Sequence, residues 1–178
     1  MNTHVVTPFK HADHDHACCV ADALKRAERR CQANGSRLTP IRRRVLELIW
    51  QRHEPMKAYD LLDLLRGERR SAAPPTIYRA LDFLLEQGLI HRLESLNAYV
   101  GCGEPEHPHV GQFLICHCCN AVAELSDNDV YANIAAKASE VGFRVSSQTI
   151  EISGLCPGCQ ERGAQLEAPA DRGAGNAD

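Results

Sequence analysis

Aromatic side chains are scarce in this chain of 178 residues, with four Phe, four Tyr and a single Trp. Large rings supply much of the buried area in most cores. Any core here must therefore be aliphatic and small, and small cores often lean on a metal or covalent staple. No apolar run approaches the ~18 residues of a membrane-spanning helix, and the opening MNTHVVTPFKHADHDHA has no apolar stretch that would direct secretion. A soluble, cytoplasmic protein is expected, and in that compartment thiols stay reduced.

A strong excess of one charge is also missing: the net is −3. The balance is nonetheless uneven along the chain. Residues 37–92 carry eleven Lys/Arg against seven Asp/Glu, whereas residues 93–178 carry four against twelve. A basic first half and an acidic second half suit a molecule in which only the first meets a polyanion. Ordinary solvated surface has the same composition, so charge alone decides little.

Cysteine, by contrast, is plentiful. Four of the nine cysteines form two pairs, Cys116-His-Cys-Cys119 and Cys156-Pro-Gly-Cys159. A CxxC turn holds two thiolates about 3.5–4 Å apart with backbone N–H groups facing them, which is half of a tetrahedral Zn²⁺ site. Two halves make a closed structural site with no open position for a substrate. The 36 residues between the pairs exceed a ribbon spacing and leave room for a small domain. Two disulfides are the competing reading, but they need an oxidising compartment. His117 and Cys118, inside the first knuckle, read as non-ligands. Cys18, Cys19 and Cys31 have no ligand-spaced partners and read as spare thiols.

Residues 1–17 lack an apolar period and are expected to form a flexible His-rich arm, with His4, His11, His14 and His16 solvated. Residues 18–100 read as a DNA-binding domain. A helical pattern from Cys18 to about Asn34 places Val20, Leu24, Ala27 and Cys31 on one face and ends at Gly35. Thr39-Pro40 then signals a helix start, followed by Ile41, Val45, Leu48 and Ile49 at helical spacing. Ala58 to Leu65 forms a shorter helix, and Thr76 to Gln87 a third, with Ile77, Ala80, Leu81, Leu84 and Leu85 inward and Gly88 closing it. Leu89 to Val100 reads as a β-hairpin.

Three helices and a hairpin make the order of a winged helix-turn-helix, whose third helix enters the DNA major groove. Its outward face offers Thr76, Tyr78 and Arg79, of which Arg79 can pair bidentately with guanine. Arg42, Arg43 and Arg44, with Arg37 and Lys57, are placed to meet phosphates. A generic three-helix bundle with a solvated basic face is the blander reading; element order and charge asymmetry together favour DNA.

Residues 101–109 read as a hinge and 110–162 as an α+β dimerisation and zinc-binding domain. Strands are expected over Gln112–Cys116, Ala121–Leu125 and Phe143–Ser153, the last with a bulge after Val145. A helix over Asp127–Val141 carries Val130, Ile134, Ala138 and Val141 on one apolar face. Such a sheet is open-edged, and a second copy across a two-fold axis would cover it. Residues 163–178, rich in Ala, Gly, Asp and Glu, are expected to be disordered. Between the third helix and the end of the first knuckle's strands lie further possible ligands: His91, Cys102, Glu104, Glu106, His107, His109 and Glu124. A tetrahedral site drawn from wing, hinge and second domain would clamp the two domains together.

RLTPIRRRVLELI from Arg37, AYDLLDLL from Ala58 and PPTIYRALDFLLEQGLIHRLES from Pro74, with the two CxxC pairs, resemble the ferric uptake regulator (Fur) superfamily of bacterial metal-responsive repressors. The likeness spans roughly residues 20–160. Within it, LDFLLEQG and His91, with the cysteine of NAYVGC, are most similar to the zinc-uptake (Zur) branch.

The resemblance implies a repressor that binds a palindromic operator as a zinc-loaded homodimer and shuts off zinc-uptake genes. It implies two Zn²⁺ per chain, one in the four-cysteine site and one held by His91, Cys102, His109 and Glu124. The loop GEPEHPH departs from the family pattern and leaves His107 as a rival to His109. A thiolate beside two imidazoles favours Zn²⁺ over Fe²⁺ or Mn²⁺, which argues against iron, manganese or peroxide sensing. No catalysis, membrane or small-molecule substrate is expected. The enzyme rival is a zinc deaminase built on Cys102-Gly-Glu104 with Cys156 and Cys159; it leaves Cys116, Cys119 and the basic half unexplained.

Overall fold

Helical periodicity organises the first half of the chain, in a computed structural model that describes residues 4–9, 16–52, 54–68, 73–106 and 111–165. The helices are α1 (His16–Ala33), α2 (Pro40–Trp50), α3 (Ala58–Glu68) and α4 (Pro74–Glu86). Each buries the stripe its period dictates: Leu24, Ala27 and Cys31; Val45, Leu48 and Ile49; Leu61, Leu62 and Leu65; Ile77, Ala80, Leu81 and Leu84. All of these side chains meet in one apolar core.

Thr39 stands before α2 as expected, but its side chain caps nothing; instead its carbonyl accepts the Arg43 N–H at 2.9 Å. Helix α4 starts at Pro74 rather than Thr76, because proline fits a first turn that needs no N–H partner. Gly88, at φ +65°, turns the chain out of α4 while Leu89 N–H closes on the Leu84 carbonyl at 2.9 Å.

The wing follows as β2 (Ile90–Leu93) and β3 (Ala98–Gly101), antiparallel from Ile90↔Gly101 to Leu93↔Ala98. Met56 and Tyr99 exchange N–H bonds of 3.0 and 2.8 Å, which ties the segment before α3 to the wing. The second half holds β4 (Gln112–Cys116), β5 (Val122–Ser126), α5 (Asn128–Glu140), β6 (Ile150–Gly154) and the short α6 (Pro157–Glu161). Strands β4 and β5 form a hairpin, and β6 returns through α5 to lie parallel to β4. The Asp127 carboxylate caps α5 by accepting the N–H groups of Asp129 and Val130.

Two expectations need correction. Residues 1–17 are not wholly a flexible arm: His4–Thr7 form strand β1, antiparallel to β5, and α1 already starts at His16. Four residues show no period that could announce a strand whose partner lies far along the chain. His11 and His14 lie outside the described residues, as do residues 166–178 of the expected tail. The last strand covers Ile150–Gly154, not Phe143–Ser153. Its ladder partner β4 is only five residues long, so the chain before Ile150 has nothing to pair with, and the alternation slip after Val145 falls in irregular backbone rather than in a bulge. The apolar face expected on α5 is left uncovered among the described residues: Val130, Ile134 and Val141 are exposed, as are Phe143 and Ile152.

Candidate metal centres and nucleic-acid face

The first metal centre follows from strand order. Because β4 and β6 are parallel neighbours with Cys116 opposite Gly154, both leave the sheet at the same end, and their CxxC turns meet there. After β4 the chain turns through Asn120, at φ +58°, with Asn120 N–H on the Cys116 carbonyl at 2.8 Å and Cys116 N–H on the Ala121 carbonyl at 2.9 Å. Beyond β6, Cys156 sits at the N-cap of α6 and Cys159 lies in its first turn.

The Sγ atoms of Cys116, Cys119, Cys156 and Cys159 all lie within 4.8 Å of one another, with Cys119 and Cys156 at 3.7 Å. Burial raises the Cys116 pKa, but N–H groups of Cys156, Cys119 and Cys118 outweigh it and bring the thiol down to about 6. Burial and the neighbouring thiols push Cys159 up. Four sulfurs at this spacing, three of them on buried residues and Cys119 half-buried, suit a tetrahedral Zn²⁺ that would hold all four as thiolates. Arg162 donates to Cys159 Sγ at 3.1 Å, a contact that no spacing rule predicts.

The second cluster joins wing to sheet. His91 from β2, Cys102 just after β3 and Glu124 from β5 bring one donor atom each within 4.8 Å of the others. His91 Nε2 is 2.9 Å from Glu124 Oε1, and the other oxygen of Glu124 accepts the Gly103 N–H at 3.1 Å. The Phe113 ring packs beside the imidazole, centroids 5.2 Å apart. Glu124 is 3% exposed and Cys102 2%. Burial lowers the His91 pKa, but Cys102 and Glu124 together outweigh it and raise it to about 9. A buried carboxylate is costly without a compensating cation; protonated His91 supplies one here, and a metal ion held by the same three donors would take its place. Their donor set, one imidazole, one thiol and one carboxylate, suits Zn²⁺.

His109, expected as the fourth ligand, and its rival His107 lie outside the described residues. Glu106 is turned away, paired with Arg29 at 2.8 Å, and Glu104 is not among the clustered donors. The structure also overturns the deaminase geometry: Cys156 and Cys159 share a centre with Cys116 and Cys119, while Cys102 belongs to the other. Gly103 and Phe113 were not legible as site residues, because nothing in linear sequence places them beside His91 and Glu124.

Tyr78 and Arg79 are exposed near the N-terminus of α4 and Thr76 is half-buried. Arg37 and Lys57 are exposed. Arg42 stacks over the Phe83 ring at 3.5 Å and donates to the Arg37 carbonyl at 2.8 Å. Arg43 and Arg44 are already engaged. Arg43 pairs with Glu28 and, at 3.4 Å, with Glu47; Arg44 pairs with Glu47 at 3.0 Å and reaches Glu68 on α3 at 2.9 Å. Acidic neighbours that sequence reading did not weigh thus hold two of the three arginines expected at phosphates. Among the described residues no helix is long and apolar enough to cross a membrane.

The family model for the ferric uptake regulator family matches residues 33–153. The zinc uptake regulation protein of Escherichia coli (strain K12) is 44% identical over 141 residues, covering 79% of this chain and 82% of that protein. A solved zinc uptake regulator complexed with zinc and DNA superposes with a TM-score of 0.77 at 43% identity, over 81% of this chain and 97% of that one. Holo XcZur superposes with a TM-score of 0.73 at 46% identity, over 79% and 98%.

Proposed function

Since the chain belongs to the ferric uptake regulator family, we propose that it is a zinc-responsive transcriptional repressor, which binds operator DNA as a homodimer and shuts off zinc-uptake genes in the cytoplasm. The observation that carries the zinc reading is the thiol in the second cluster: Cys102 meets His91 and Glu124 where wing and sheet join. A soft ligand there favours Zn²⁺ over Fe²⁺ or Mn²⁺. Each chain would hold two Zn²⁺, a structural one in the four-cysteine centre and a regulatory one on His91, Cys102 and Glu124, with His109 as the expected fourth ligand. The structural ion has no open position for catalysis, and no enzymatic role is proposed.

The regulatory ion acts as a tie. His91 belongs to the wing and Glu124 to the sheet, so a metal on both restricts how the winged helix sits on the dimerising half. A second copy would cover Val130, Ile134, Phe143 and Ile152, which one chain leaves exposed, and would set two α4 helices at fixed spacing for a palindromic site. Arg79 and Tyr78 are the base-reading candidates, with Thr76 beside them. Arg37, Arg42 and Lys57 supply phosphate contacts; Arg43 and Arg44 can join only by leaving Glu28, Glu47 and Glu68. Metal shifts the equilibrium only by preferring the DNA-competent form, and DNA must tighten zinc binding by the same factor.

Operator binding against free zinc at fixed salt tests this. Cys102→Ser and His91→Ala should remain folded dimers with one zinc each, yet gain no operator affinity on adding zinc. Arg79→Ala should keep the zinc response but lose about 1–3 kcal/mol of discrimination at one base pair per half-site. A full zinc response in both ligand variants would move the sensor elsewhere.

A further inference from the structure

Strand β1 lies outside the matched family region of residues 33–153, yet it packs beside the strand and loop that hold one metal cluster, and Phe9 just beyond it packs against the other. It pairs with β5, the strand that carries Glu124, and Thr7 stands opposite Glu124 in the ladder. Register shifts between Val5 and Thr7, and this irregularity lays Val6 and Thr7 against Gly103. A Cβ on Gly103 would collide with Thr7 Oγ1 and lie 2.7 Å from Val6 Cγ1. Gly103 is the residue whose N–H holds the outer oxygen of Glu124. Thr7 and Pro8 also line a cavity of about 40 Å³ with Trp50, Gly101, Phe113 and Glu124, between the helical half and the sheet. Phe9 then packs against the four-cysteine centre.

We propose that β1 is a strap that completes the second metal centre. It presses Gly103 onto Glu124, so that the carboxylate stays aimed at His91 and Cys102, and it seals the cluster from water on the β5 side. Residues held by the packing around a ligand keep metal better than the ligands alone. Docking of the strap and retention of the metal are therefore linked: each favours the other by the same factor. The strap also covers the outer edge of β5, which would otherwise present unpaired backbone groups. Its side chains need supply no ligand; Val6 and Thr7 act only through Gly103 and Glu124. This inference rests on the proposal that His91, Cys102 and Glu124 hold zinc.

Two measurements on the full-length protein test it. Hydrogen exchange of the amides of Val5, Val6 and Thr7 is followed with the second centre empty and zinc-loaded, the four-cysteine zinc being present in both states. Loading should slow exchange there by about tenfold, a typical size for coupled sites. Zinc release to a chelator is then timed for wild type, Gly103→Ala and Val6→Asp, which disturb the same contact from opposite sides. Both variants should release the regulatory zinc about tenfold faster while keeping the other ion.

If wild type takes up only one zinc per chain, the functional reading fails. If it takes up two, but β1 exchange ignores the second and both variants release it at the wild-type rate, the strap is refuted and the zinc reading stands. Should a variant misfold, the exchange measurement on wild type still decides.

Discussion

From Ala23 to Tyr99, buried side chains of four helices and the wing form one continuous apolar core. The apolar clusters of the sheet half are small by contrast: Phe113 and Ile115 with Leu93 of the wing, and the cysteines Cys116, Cys156 and Cys159. No residue of α5 is buried within one chain. The first half folds by hydrophobic burial in the ordinary way, whereas the second buries little apolar area of its own, the situation in which a metal staple or a partner adds most. The same division separates tasks. The helical half carries the face proposed to meet DNA on one apolar core, and the His91, Cys102 and Glu124 cluster lies where that half joins the sheet.

The largest expected effect breaks the two halves apart. Structural zinc is worth on the order of 10 kcal/mol, more than many domains' total stability, so Cys116→Ser should unfold the sheet half and abolish dimerisation. Amides of β4, β5 and β6 should then exchange freely while those of α2 and α4 stay protected. Equal loss in both halves would erase the distinction drawn above.

A second change sharpens the contrast from the other side. Leu81 is fully buried in the helical core, and Leu81→Ala should cost about 2–5 kcal/mol in denaturant unfolding of that half. Zinc content of the four-cysteine centre should not change, as metal analysis of the folded variant will establish.

The smallest effect concerns a tie between the halves. Glu151 on β6 accepts N–H bonds from Glu94 at 2.6 Å and Ser95 at 3.0 Å, just beyond the wing strand β2. Burial raises its pKa, but hydrogen bonds from Ser95 and Glu94 outweigh this and hold it below the usual glutamate value. A depressed folded pKa gives stability that is complete above the unfolded value of about 4.3 and is lost as pH falls through the folded one. Glu151→Gln should therefore cost no more than about 1 kcal/mol near neutrality, solvent screening included. The gap to wild type should close on acidification. A gap that stays constant with pH would show that the carboxylate's charge is irrelevant there.

Much of this molecule was legible in its sequence. The helical stripes from Leu24 to Leu84 were, because a period of 3.6 residues is a local property. So was the pairing of two CxxC turns into one centre, because two such turns in one chain are the usual halves of a tetrahedral metal site. The second cluster was legible as a set of candidates and sharpened by resemblance. It could not be read from spacing, since His91, Cys102 and Glu124 come from three separate strands or strand ends.

Spacing and periodicity thus determined by themselves the element order of the helical half, the wing and the singling out of Cys116, Cys119, Cys156 and Cys159, since each depends on residues close in sequence. Tertiary structure alone decided that His91 and Glu124 come within 2.9 Å, that Glu28 and Glu68 reach Arg43 and Arg44 from other helices, that α5 leaves its apolar face outward, and that His4–Thr7 is a strand. Each of those outcomes turns on which distant segment lies next to which. Strand order and chain crossing set that, and they leave no period in the sequence to read.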